Sequence, residues 1–225
     1  MSESALRITG AAVRLATDED AFELHAPDID LEPGNALACV GPSGSGKTTL
    51  VRLACGLLRA DRGAVHALGH DLASLDDARL RAWRLTNVGL VFQDFALLAH
   101  LSALENILLP LVLAPNSASG TEERERAHEL ARALEVDHTL RRRPARLSHG
   151  ERQRIAICRA LVTRPGMLLC DEPTASLDER RADLVLSLID REREERGAAV
   201  LITTHDRVVA SRTGPVLDLA QGALS

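Results

Sequence analysis

The stretch "ALACVGPSGSGKTTL", residues 36–50, decides the fold. "ALACV" is a short apolar run that ends at a glycine. "GKTTLVRLACGLL" follows it, with Leu50, Leu53, Ala54 and Leu57 at helical spacing. Between them "GPSGSGKT", Gly41–Thr48, matches G-x-x-x-x-G-K-[ST] in the strand-to-helix context that the pattern requires. Glycines let the backbone wrap closely around phosphate groups, with amide N–H groups turned inward. The start of the helix adds partial positive charge. The candidate nucleotide-binding residues are therefore Gly41, Pro42, Ser43, Gly44, Ser45, Gly46, Lys47, Thr48 and Thr49. Lys47 can reach the β- and γ-phosphates, and the Thr48 hydroxyl can bind Mg²⁺. The plainer reading, a glycine-rich turn, is disfavoured by the strand and helix on either side.

The alternation of strand and helix continues outward. Residues 5–31 read as two strands joined by the acidic turn "TDEDA", with "PDIDL" alternating as a half-buried strand does. "VHALG", "VGLVFQ", "MLLCDE" and "AAVLITTHD" read as strands. "DDARLRAWR", "EERERAHELARALEV", "SHGERQRIAICRALVT" and "ERRADLVLSLIDREREERG" read as helices. So does "SALENILLPLVLA", which Pro110 is expected to interrupt. Residues 114–121, "APNSASGT", are a loop of turn residues. This order implies parallel βαβ units in an α/β layer fold. The stretch from about 94 to 166 has no strong strand and reads as a helical insertion.

Polar residues collect where strands end. Asp171 ends the apolar "MLLCD", where a carboxylate can hold Mg²⁺ or its waters. Glu172 follows, placed to orient or deprotonate an attacking water. The alternative is a pair of solvated carboxylates, which the phosphate loop makes the poorer reading. Gln93 ends "VGLVFQ" and His205 ends "VLITTH". Ligands of open α/β sheets sit beyond the carboxyl ends of strands. Gln93 could thus touch the Mg²⁺ or the water, and His205 the γ-phosphate, although each alone could be structural. Ser148 precedes the helical "GERQRIAICRALV"; it could simply cap that helix, but a helix start with Ser148 and Gly150 also suits an anion.

Composition sets the remaining bounds. The chain has 225 residues, 45% of them hydrophobic and 26% charged, enough for a sizeable core beneath a solvated surface. The net charge of -5 gives no reason to expect nucleic acid as a partner, and aromatics at 2%, with no tyrosine, argue against base-stacking platforms. Cys39, Cys55, Cys158 and Cys170 form no CxxC pair and read as small buried hydrophobes of a reducing compartment. No apolar run is long enough to span a bilayer, and no basic segment followed by an apolar core heads the chain, so neither a membrane span nor a signal peptide is expected. "RRR" at 141–143 reads as a solvated turn, and "REREERG" as an exposed helix end with i,i+4 ion pairs.

Taken in order, these motifs resemble the nucleotide-binding subunit of ATP-binding cassette (ABC) transporters. "GPSGSGKTT" stands as its phosphate loop, "VFQ" as its Q-loop and "LSHGE" as its signature. "MLLCDEPTASLD" matches Walker B plus D-loop, and "TTHD" the switch histidine. The match covers essentially the whole chain. "VFQDFALLAHLSALENILLPL" and "LSHGERQRIAICRAL" resemble the small stand-alone ATPases of the macrolide-exporter, lipoprotein-release and cell-division subgroup. The resemblance implies one ABC-type ATP-binding domain over residues 1–225. Its P-loop NTPase core would have a mainly parallel sheet, an N-terminal antiparallel β subdomain and a helical signature subdomain over about 94–166.

It also implies an ATPase that uses ATP and Mg²⁺, with Lys47, Glu172 and His205 as catalytic residues and Thr48, Gln93 and Asp171 at the metal. Two such subunits would pack head to tail, so that Ser148, His149, Gly150 and Glu151 contact the γ-phosphate bound to the partner and Asp178 crosses the same interface. A homodimer is favoured over a heterodimer. An integral membrane permease would ride on the cycle, docked near Gln93 and the helices after it. The chain would then be cytoplasmic and peripheral on the inner face of the membrane. The rival class is a non-transport cassette ATPase acting on nucleic acid or ribosomes; such proteins usually carry two cassettes, coiled-coil arms or basic extensions, which this chain lacks. A degenerate cassette is disfavoured by the presence of Lys47, Asp171, Glu172 and His205.

The sequence departs from the family pattern twice. His149 stands where the signature usually has its first glycine, and either loosens the approach to phosphate or adds a donor. No aromatic residue stands in "AVRLATDED", where adenine usually stacks. That leaves Arg14 or Leu15, with Phe22 the nearest aromatic.

Overall fold

The computed structural model describes residues 4–16, 21–114, 120–220 and 223–224. The chain opens with β1 (Leu6–Ala16), β2 (Ala21–His25), β3 (Ile29–Leu31) and β4 (Ala36–Val40), then α1 (Lys47–Ala54). There follow β5 (Arg62–Ala67), β6 (His70–Asp71), α2 (Asp77–Asn87) and β7 (Val88–Val91). Next come α3 (Ala103–Leu113), α4 (Thr121–Ala133) and α5 (His149–Leu161), with no strand among the described residues between β7 and β8 (Met167–Asp171). The chain then runs through α6 (Glu179–Arg196), β9 (Ala199–Thr204), α7 (Arg207–Thr213), β10 (Val216–Asp218) and β11 (Ala223–Leu224).

Two sheets form. In the first, β1 pairs antiparallel with β2, β3 and β5, and β5 with β6. The second has the order β11-β10-β4-β9-β8-β7; it is parallel from β10 to β7, with β11 antiparallel at its edge. Every residue of β4, β8 and β9 is buried, as strands covered on both faces require. Their side chains alternate between two cores. Met167 and Leu169 face the core shared with α1 and the antiparallel sheet, whereas Leu168 and Cys170 face the core built with α3–α6. Register pairs Val40 with Thr204 and Asp171 with Thr203, so the carboxyl ends of the three strands reach one level.

The third element that fixes the site is α5. Its residues Gln153–Leu161 are all buried, so the helix is enclosed rather than amphipathic. It lies so close to β7 that a Cβ on Gly89 would stand 2.4 Å from the Ala160 carbonyl oxygen, which is why glycine is needed there. The charged ends of α6 follow the helix rule read from "REREERG", with Arg191–Glu195 and Glu192–Arg196 pairs at i,i+4. All four cysteines are buried, and loss of solvation pushes the Cys39 and Cys158 thiols up to about 12 and Cys55 to about 11.

Several expectations need adjustment. The N-terminal segment holds three strands rather than two, because the chain breaks between β2 and β3 at residues 26–28, where Pro27 has no amide to pair. The acidic turn "TDEDA" lies largely outside the described residues, as does most of the 114–121 loop. Pro110 does not interrupt α3: it forfeits only the bond to the Asn106 carbonyl, while Ile107 and Leu108 anchor the helix in the core. β7 stops at Val91, two residues short of Gln93. The short β6, β10 and β11 have too few residues to show a period in the sequence.

Asn106, fully buried on α3, closes the loop after Gln93. Its Nδ2 donates to the carbonyls of Leu98 (3.2 Å), Leu101 (3.3 Å) and Ser102 (2.9 Å), and its Oδ1 accepts from the Leu98 amide at 2.8 Å. Asn106→Ala should destabilise the protein by about 1–3 kcal/mol in urea unfolding, since the part-buried loop groups it satisfies lose their partner. A loss below about 0.5 kcal/mol would place those groups in contact with water instead.

Candidate functional site

The strand ends converge on a cavity of about 550 Å³ lined by Ser43, Gly44, Gly46, Lys47, Thr48, Thr49, Gln93, Asp171, Glu172, Ala175 and His205. Sequence positions more than 150 residues apart thus meet in one place, with Ser43 and His205 the outermost. Gly41, Pro42 and Ser45 do not line the cavity but shape the loop. The carbonyls of Gly41 and Pro42 accept from Lys47 Nζ at 2.7 and 3.1 Å, and the Ser45 amide bonds the Pro42 carbonyl. Gly46 caps α1 at φ 90°, and a Cβ there would lie 2.6 Å from Leu24 Cδ1. Glycine is therefore demanded twice, by its left-handed backbone and by the close approach of β2.

Asp171 is 2% exposed. Its Oδ2 accepts from Thr48 Oγ1 at 2.6 Å and its Oδ1 from Thr203 Oγ1 at 2.7 Å. A buried carboxylate needs such partners, and these tie the first turn of α1 to β8 and β9. Thr203 was not singled out in the sequence; only the strand register reveals it. The Thr48–Asp171 pair fits a hard divalent cation such as Mg²⁺, which takes one or two protein oxygens and completes its shell with phosphate and water. Among the described residues no cluster of three or more His, Cys, Asp or Glu offers a metal cage.

Glu172 is held differently. Its φ is +54°, a left-handed conformation unusual for a residue with a Cβ. The backbone is fixed from both sides: its amide donates to the Thr203 carbonyl at 2.9 Å, and its carbonyl accepts from Gln153 Nε2 at 2.9 Å. Strained backbone of this kind persists only where the surroundings over-determine it. The carboxylate itself lies 2.8 Å from His205 Nδ1 through Oε1, and accepts from Thr204 Oγ1 at 3.1 Å through Oε2. His205 keeps 68% of its side chain exposed at the mouth of the cavity. The arrangement can hold a water beside Glu172 and leave an exposed imidazole facing an incoming phosphate.

The signature lies elsewhere on the chain. Ser148 and Glu151 form a reciprocal capping box on α5: the Glu151 amide donates to Ser148 Oγ at 3.2 Å, and the Ser148 amide to Glu151 Oε2 at 2.7 Å. Burial alone would raise the Glu151 carboxyl, but the Ser148 amide and hydroxyl together with His138 hold it below its ordinary value. Ser148, Gly150, Glu151, Arg154, Ser176, Leu177 and Asp178 help line a second cavity, of about 290 Å³. No residue lines both cavities. The D-loop runs from one to the other, with Ala175 in the first and Ser176 in the second. Asp178 caps α6, and the amide of Arg181, with its guanidinium charge, holds the Asp178 carboxyl below the usual range. His149 does not line either cavity; its ring stands edge-on against Phe95, with centroids 4.7 Å apart.

Gln153, buried on α5, joins the two regions: besides the Glu172 carbonyl, it accepts the Ser176 amide at 3.2 Å. Its place two residues past the signature, on the same helix, is the signal available in the sequence. The candidates for adenine stacking resolve only in part. Arg14 is exposed and ion-paired with Glu23 at 3.3 Å, while the side chains of Leu15 and Phe22 lie outside the described residues. No helix among the described residues is long and apolar enough to cross a membrane.

Thr203→Val keeps the shape of β9 and removes one of the two hydroxyls that satisfy Asp171. It should cost about 1–3 kcal/mol in denaturant unfolding, because a buried carboxylate oxygen loses its donor. Unchanged stability would mean that Asp171 finds water in place of Thr203.

Known proteins agree with this geometry. The family model "ABC transporter" matches residues 24–175. The lipoprotein-releasing system ATP-binding protein LolD of Ruegeria sp. is 39% identical over 226 residues, covering 100% of this chain and 99% of that protein. The LolD of Chromohalobacter salexigens is 41% identical over 207 residues, 92% of this chain and 86% of that one. The macrolide export ATP-binding/permease protein MacB of Rhodopirellula baltica is 38% identical over 92% of this chain, which spans 30% of MacB. Among solved structures, the ABC cassette MJ0796 in a dimeric post-hydrolysis state bound to ADP and Pi superposes with a TM-score of 0.91 at 31% identity, covering 98% and 97% of the two chains. With a phosphate loop, a buried Asp171 beside Thr48 and a strained Glu172 gathered at the strand ends, the chain belongs to the ABC transporter family, as an ATP-binding and ATP-hydrolysing subunit of the LolD and MacB subgroup.

Proposed function

We propose that two copies of this chain close head to tail around ATP, and that this cycle drives a separate membrane permease. One observation carries the reading: the phosphate-loop cavity and the signature cavity are separate on a single chain, so each offers half a site. Ser148 suits the second half. Ser148 is exposed at the start of α5, and its hydroxyl can turn its proton from the Glu151 carboxylate to a phosphate oxygen while still accepting from the Glu151 amide. Capping and phosphate contact are therefore compatible. The dimeric state of the MJ0796 structures supports the two-chain assembly, and the near-complete match to LolD, an ATP-binding protein of a lipoprotein-releasing system, supports a permease on another chain.

In this reading the loop amides and Lys47 hold the β- and γ-phosphates. Thr48 and Asp171, with Gln93 at the cavity wall, would hold Mg²⁺, which when bound offsets negative charge on the phosphate oxygens. Glu172 orients the attacking water and takes its proton, while His205 steadies the Glu172 carboxylate and faces the γ-phosphate. Ser148, Gly150 and Glu151 of the signature, with Asp178, act on the partner's nucleotide. The exposed apolar Leu98, Val112 and Leu113 lie on the segment after Gln93 and on α3, where the permease would dock. The subunit would then sit at the cytoplasmic face of the membrane, held there by the permease.

Glu172→Gln should keep ATP binding, lose nearly all turnover and accumulate an ATP-bound dimer on size-exclusion chromatography. Turnover at the wild-type rate removes Glu172 from its assigned role. Ser148→Asp is a sharper probe of the signature, because aspartate also caps a helix. Its unfolding free energy should stay within about 0.5 kcal/mol of wild type, while the added charge repels phosphate and prevents dimer closure. In a mixed dimer, damage should appear at the site whose Lys47 lies on the unaltered chain; damage at the altered chain's own site would contradict the arrangement.

Arg14, tied to Glu23, offers adenine only an exposed guanidinium. ATP and GTP should therefore be hydrolysed at comparable rates, and a strong preference for ATP would point to an aromatic contact from Phe22.

A further inference from the structure

Phe95 stands two residues past Gln93 and is 5% exposed. It and Ala96 are consecutive non-glycine residues with left-handed backbones, φ 62° and 44°. Such a pair is costly and must be held from outside. The holder is α5. Arg159, itself buried, donates from Nη1 to the Ala96 carbonyl and from Nη2 to the Phe95 carbonyl, both at 2.6 Å. Burial pulls the Arg159 guanidinium down to about 10, against the opposing charge of Asp94, so it remains a cation at neutral pH. The Phe95 ring then reaches the other end of the same helix, where it meets His149 edge-on at 66°. Phe95 is thus gripped by its carbonyl near the end of α5 and by its ring at the start.

We propose that His149 is a positioning residue: through its edge-on contact with Phe95 it locks the signature turn to the Gln93 segment. Movement of Gln93 in one cavity is thereby passed to Ser148 and Gly150, which serve the partner's cavity. The inference rests on the head-to-tail reading above for its functional consequence, but the coupling itself lies within one chain. It assigns a role to the residue that replaces the usual signature glycine, because glycine has no ring to offer Phe95. A direct phosphate contact by His149 is the competing account, and it needs no Phe95.

The test uses the full-length chain carrying Glu172→Gln, so that ATP-driven dimers accumulate. His149→Gly and Phe95→Leu should each raise the ATP concentration for half-maximal dimerisation by about two- to tenfold, the range expected for one aromatic pair. Each loses an intrachain aromatic contact, so thermal midpoints should fall by only about 2–4 °C, while single-chain ADP affinities should match the parent. The double variant should be no worse than either single one, and His149→Phe, which keeps a ring but has no N–H, should restore dimerisation to near the parent. A second measurement needs no dimer. The His149 ring resonance, assigned by its loss in His149→Phe, should shift when Mg²⁺-ATP binds at concentrations too dilute for dimers, and should not shift in Phe95→Leu that binds ATP equally. The proposal is overturned if Phe95→Leu dimerises like the parent while His149→Phe fails like His149→Gly, which would indicate direct phosphate contact. It is equally overturned if the double variant shows additive losses, or if the resonance responds without Phe95. Failure of the Glu172→Gln parent to dimerise at all would count against the head-to-tail reading, and the resonance would still decide the coupling.

Discussion

The carboxylate of Asp171 is the constraint around which the rest is arranged. A charge buried to this degree is tolerated only when its oxygens are satisfied, and here the two donors come from different parts of the chain, Thr48 and Thr203. Satisfying them fixes the first turn of α1 against β8 and sets the level of β9. The phosphate loop, whose shape depends on Gly46 pressed against Leu24, is then aimed at the strand ends. Glu172 follows from the same construction. Its backbone is pinned by the Thr203 carbonyl and by Gln153, and its side chain by Thr204 and His205. Asp171 and Glu172 are neighbours in sequence, yet one faces α1 and the other the cavity mouth.

The second organising element is α5. A helix buried along nine residues, Gln153–Leu161, ordinarily carries only apolar side chains, but this one carries Gln153, Arg154 and Arg159 inside the protein. Gln153 and Arg159 spend their hydrogen bonds on backbone groups of other segments: the Glu172 carbonyl, the Ser176 amide, and the Phe95 and Ala96 carbonyls. α5 therefore touches Walker B, the D-loop and the Q-loop at once, while its capped start presents Ser148. Three of the six left-handed non-glycine residues among the described residues, Glu172, Phe95 and Ala96, stand in the segments it holds. In such a structure a rigid helix is the means by which separate loops keep a common position.

Much of this was legible in the residues. The strand–loop–helix around Gly41–Thr48 has a local physical cause at every position, and the buried strands show themselves as continuous apolar runs. The helix starts at Ser102, Ser148 and Asp178 carry capping residues that the structure uses as such. The short β6, β10 and β11 were not legible, because two or three residues carry no period. Pro110 misled because its cost as a helix breaker is a local quantity, whereas the burial of Ile107 and Leu108 that outweighs it is not.

The sequence by itself determined the phosphate loop, the polar residues near the strand ends and the capped helix behind the signature, because each depends on neighbours a few positions away. Only the tertiary structure decided which groups complete them. Thr203 reaches Asp171 through parallel register, Gln153 reaches Glu172 and Ser176 across helix packing, and Phe95 reaches His149 from a loop 54 positions earlier in the chain. Hydrogen bonds and ring contacts act over a few ångströms in space, and separation along the chain leaves no periodic trace of them.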